Sequence, residues 1–77
     1  MTNEQRKALK AVRYATVEHV LAAKAGDVED FELEELERSQ AQAARRALQI
    51  GCDLDAVVAA QTTAGFAIAQ GRIAEVA

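Results

Sequence analysis

Three features carry side chains able to do chemistry: His19, Cys52 and the acidic run of residues 29–37, EDFELEELE. A histidine can act as a proton-sensitive switch or a general base. His19 is the chain's single histidine, so no second imidazole can join it on a metal within one chain. It sits at the edge of an apolar stripe, one heptad from Val12, and reads as a boundary residue with one ring nitrogen satisfied. Cys52 stands between Gly51 and Asp53, just ahead of a helix start. Thiols become nucleophiles at helix starts when a base or a cation stands beside them. The neighbouring sequence offers neither, so Cys52 reads as a small structural thiol. One cysteine forms no internal disulfide, which fits a reducing, cytoplasmic setting.

The acidic run lacks the alternating oxygen ligands and central glycine of a calcium loop. It also lacks the Glu-x-x-His pattern of di-iron bundles. Two readings remain: a helix start matched to the backbone dipole, or an acidic docking patch, Glu32, Glu34, Glu35 and Glu37, for a basic partner. Phosphate loops, nucleophile elbows and paired zinc cysteines are missing from the sequence. The expectation is a protein that is not an enzyme and holds no cofactor and no metal.

What must position these residues is helical. Of 77 residues, 18 are alanine and none is proline. Alanine favours helix and adds little core volume, so stability should come from close helix approach. The first segment runs from about Thr2 to Ala25. Thr2 and Gln5 have capping-box spacing, and Gly26 stands where a left-handed stop belongs. At 100° per residue, Leu9, Val12, Thr16, Val20 and Ala23 form one stripe. Ala8, Ala11, Ala15 and Ala22 form a smooth second stripe, and Tyr14, Val17 and Leu21 form a third side.

The second segment runs from about Asp30 to Ile50, with Asp27 or Asp30 as cap and Val28 and Phe31 as turn contacts. Leu33, Leu36, Ala43, Ala44, Ala47 and Leu48 make one stripe, and Glu34 and Arg38 have i,i+4 ion-pair spacing. Gly51 ends it. The third segment begins after Asp53 as N-cap. Its stripe Leu54, Val58, Gln61, Gly65, Ile68, Arg72 and Val76 places Gly65 where another backbone could come close, and Gln61–Gly65 is its weak point. Short loops make neighbours antiparallel. The predicted fold is all-α: one domain over residues 1–77, three helices in an up-down-up antiparallel arrangement, closed as a monomer or completed by dimerisation.

Charge is uneven. Residues 1–25 hold five basic side chains against Glu4 and Glu18, whereas residues 26–40 hold seven acidic ones against Arg38. Arg6, Lys10, Arg13 and Lys24 form a basic wedge on helix one, either solvated or paired with the acidic start of helix two. The net charge of −3 argues against general nucleic-acid binding. The longest apolar runs fall short of the roughly 18 residues of a membrane span, and the opening MTNEQRKALK does not read as a secretory signal.

A domain of this length hides only about 60% of its unfolded surface, yet helices one and three each carry more than one apolar side. The expected function is therefore a small non-catalytic interaction module, a regulator or inhibitor. It would present an apolar helical surface to a protein partner or to its own copy. Tyr14, Val17, Leu21, Phe66 and Ile73 are the expected interface residues. The alternative is a helix-turn-helix DNA-binding regulator over residues 53–73. It would open at Asp53, turn at Gln61-Thr62-Thr63 and read with Ala64–Ile73, though few long polar side chains serve the reader.

Overall fold

The structure is a computed structural model that describes residues 1–69 and 71, the side chains of Phe66 and Ala69 excepted. The expected contacts of Phe66 and Ile73 lie outside what it describes. Three helices are formed: α1 (Asn3–Ala25), α2 (Asp30–Gln49) and α3 (Leu54–Ala69), with no strands among the described residues.

The caps explain where the helices begin. Thr2 Oγ1 accepts from the Gln5 amide at 3.1 Å, and Gln5 Oε1 accepts from the Thr2 amide at 3.0 Å, completing the capping box. Gly26 closes α1 at φ 72°, its amide reaching Ala22 O. Asp53 caps α3, its Oδ1 accepting from the Ala56 amide at 2.9 Å. The start of α2 differs from expectation. Glu29 holds the cap position without a side-chain hydrogen bond, and Asp30 is already the first helical residue. Phe31 pins no turn, being 60% exposed.

Helix α1 is the middle element, packing against both α2 and α3, which barely meet each other. The molecule measures 38 × 27 × 17 Å, and its short dimension is under two helix diameters. The start of α1 lies by the end of α2, since Gln5 Nε2 donates to Ile50 O at 3.1 Å. Farther along, His19 reaches Gln40, so these helices are antiparallel. One buried cluster joins Ala8, Leu9 and Val12 to Ala47, Cys52, Val57 and Ala60. A second joins Val17 to Ala64, Ala67 and Ile68. Rising numbers on α1 thus meet rising numbers on α3, which is the up-down-up order.

Val12 is the one large side chain fully withdrawn from water among the described residues. The rest of the core is mostly alanine and valine, so the helices approach closely and bury little volume. Thr16 is buried too, and its hydroxyl donates to Val12 O at 2.8 Å within its own helix. Of the 20 residues of α2, only Ala47 is buried. The other stripe residues are half-covered, and Leu48 is exposed.

Helix α3 continues unbroken through Gln61–Gly65. Thr62 is helical, and its hydroxyl donates back to Val58 O at 2.9 Å. The turn at Gln61-Thr62-Thr63 on which the helix-turn-helix arrangement depends is not formed. Gly65 has no atom of the described residues where a side chain would stand, so it marks no close approach among them.

Candidate functional site: the polar joints and the open groove

Two polar joints tie α1 to its neighbours. At its first turn Gln5 caps the helix, donates to Ile50 O, and accepts from Cys52 Sγ through its backbone oxygen at 3.7 Å. Gly51 runs at φ 99°, and a Cβ there would stand 2.9 Å from Gln5 Nε2. Both the conformation and the space at this corner call for glycine. Cys52 is buried here with its thiol free.

The second joint is at His19. Its Nδ1 lies 2.8 Å from Gln40 Oε1, and its Nε2 lies 3.6 Å from Glu37 Oε1. The tautomer with hydrogen on Nδ1 donates to Gln40, and an imidazolium would serve both oxygens. His19 and Cys52 belong to opposite ends of α1. Cys52 contacts Gln5, 14 positions from His19, or about 21 Å along the helix. They form no cysteine–histidine pair. Among the described residues no three His, Cys, Asp or Glu side chains gather to hold a metal ion.

Between α1 and α2, on a side to which α3 contributes no lining residue, runs an open groove of about 630 Å³. Ala8, Ala11, Ala43 and Ile50 supply its apolar surface. Lys7 and Glu4 stand on the α1 wall, and Arg46, Gln42 and Ser39 on the α2 wall. A shallower hollow of about 260 Å³ continues along α2 past Ser39 to Glu35 and Arg38. The smooth alanine stripe of α1 therefore does not bring α2 up along its whole length, and part of it floors a trough.

The expected interface residues divide. Tyr14 and Leu21 are exposed, with Lys10 Nζ 5.8 Å from the Tyr14 ring centre. Val17 does not join them. It is buried against Ala64, Ala67 and Ile68 because α3 lies on that flank of α1. The wheel gave Val17 an apolar side but not the position of its neighbour. Phe66 and Ile73 lie outside the described side chains. Five large apolar residues outside the expected set are open to water: Met1, Phe31, Leu48, Leu54 and Val58. The i,i+4 pair Leu54 and Val58 was legible as a stripe; that it would be uncovered was not.

Of the acidic set, Glu32, Glu34, Glu35 and Glu37 are all exposed. Glu37 turns to His19, its Oε1 3.6 Å from Nε2. Glu34 and Arg38 do not pair despite their spacing, since both sit in water, where hydration competes with an exposed contact. No described helix is long and apolar enough to cross a membrane. What the fold and these sites define is a small all-α bundle with two polar joints and an open inter-helix groove. No protein-family model, no curated protein and no solved structure matches this chain.

Proposed function

We propose that this chain is a small non-catalytic protein–protein interaction module, a regulator or inhibitor that docks through its helical surface onto a protein, its own copy included. The observation that carries the reading is the shallow burial of α2: a 20-residue helix of which one alanine alone is buried. With Phe31 at 60%, Leu54 at 63% and Val58 at 49% exposure, large apolar area stays in water. Isolated exposed leucines are ordinary, but several on so small a chain are what an interface core needs, and the exposed charges around them suit its rim. The separation of His19 from Cys52 supports the non-catalytic part. The unpaired thiol fits a cytoplasmic setting.

The test is site-specific photo-crosslinking in living cells. The photoreactive residue would be placed at 31, 54 or 58, with exposed Ala41 as the control position. The expected result is a discrete protein adduct at the apolar positions and none at Ala41. Adduct mass separates a second copy from another protein. Equal, diffuse labelling at all four positions would overturn the reading.

A further inference from the structure

We infer that the acidic first turns of α2, with Phe31 at their centre, seat in the α1–α2 groove of a second copy of this chain and build a head-to-tail assembly. This rests on the interaction-module reading and names the partner. Phe31 lies about 160° around α2 from buried Ala47, so the ring is turned away from α1. Around it in sequence stand Glu29, Asp30, Glu32, Glu34 and Glu35, all exposed and none in an ion pair among the described residues. The groove has the opposite character. Its floor offers methyl groups from Ala8, Ala11 and Ala43, and Lys7 and Arg46 stand on its two walls against the single carboxylate of Glu4. Among the described residues neither cation has a carboxylate within ion-pair distance.

An aromatic ring flanked by carboxylates fits an alanine-floored trough with a cation on each side: the ring loses water against the methyls, and the charges meet at the rim. The chain cannot make this contact with itself. Phe31 and Arg46 ride on one rigid helix, 15 residues or about 22 Å apart. Ring and groove therefore come together only between molecules. Because they are different surfaces, the junction is heterologous and can propagate from copy to copy.

Sedimentation velocity of the full chain, from about 1 μM to about 1 mM, tests it. Two variants break opposite halves of the junction: Phe31→Ser removes the ring, and Lys7→Glu with Arg46→Glu reverses the groove. Both alter exposed positions, and circular dichroism should show unchanged helicity. The wild type should grow in mass with concentration. Each variant alone should associate about thirtyfold more weakly. Mixed, they should form a one-to-one pair and nothing larger, because one intact ring meets one intact groove. A wild type that stays monomeric throughout overturns the inference. So does association that both variants leave unchanged, or a mixture that forms no pair. In each case crosslinks from the apolar positions to another protein would leave the broader interaction reading standing.

Discussion

The two flanks of α1 share one apolar cluster but differ in what is added to it. Toward α3 the contact is dry: Val17 packs on Ala64, Ala67 and Ile68, while Leu9 and Val12 share a cluster with Val57 and Ala60. Toward α2 apolar packing of Ala47, with Ala43, Ala44 and Ile50 beside it, is joined by two long-range hydrogen bonds, Gln5–Ile50 and His19–Gln40, and a groove is left open alongside. Apolar packing needs mutual coverage along the whole contact, whereas a hydrogen bond needs only two atoms in register. The lesson is that α2 can be correctly placed while burying a single residue, whereas α3 places Val57, Ala60, Ala64, Ala67 and Ile68 in the core.

The sharpest way to break that contrast is at Val12, which lies at the junction of all three helices. Val12→Ala removes two carbon atoms and leaves a cavity, with an expected loss of about 2 to 3 kcal/mol. That should appear as a fall of about 10 to 20 °C in the thermal midpoint by circular dichroism. A smaller drop would mean that the bundle closes over the gap.

Next in size is a matched pair of enlargements. Ala64→Leu forces three extra carbons into the dry α1–α3 contact and should destabilise by about 1 to 3 kcal/mol. Ala11→Leu puts the same carbons on the groove floor, where there is room, and should change stability by about 0.5 kcal/mol or less. Urea titrations of both would decide it. Equal losses would mean that the groove is as tightly packed as the other flank.

How far the sequence anticipated this arrangement depends on the range of the interaction. Helix bounds were legible where a short-range device sets them: Thr2 with Gln5, Gly26, and Asp53 ahead of Leu54. The cap of α2 was not, because Glu29 holds that position by backbone conformation alone. The burial of Val17 and the exposure of Leu54, Val58 and Phe31 were also hidden. Periodicity states which residues share a side of one helix, but where a neighbouring helix lies depends on packing between segments. The partnership of His19 with Gln40 and Glu37 is of the same kind. It is set by the register of two antiparallel helices, which no spacing within either one encodes.

The smallest expected effect is at that joint. His19→Ala removes the contacts to Gln40 and Glu37 on a partly solvated surface, and should cost about 0.5 to 1.5 kcal/mol. Amide hydrogen exchange is the more telling readout. The middle of α2, around Gln40, should lose protection, while α3 around Ala64 keeps its own. Uniform loss across both helices would show that the two flanks of α1 are not independent.

Gln5 has a consequence for the order in which the molecule is completed. Its side-chain amide waits for a carbonyl 45 positions later, and its own carbonyl waits for a thiol 47 positions later. On a nascent polypeptide α1 can coil long before those partners emerge, whereas α2 ends at the residue before Ile50. The return of the Ile50–Cys52 corner to the first turn then comes as α2 is completed, a clasp that fixes where α3 begins its run along α1.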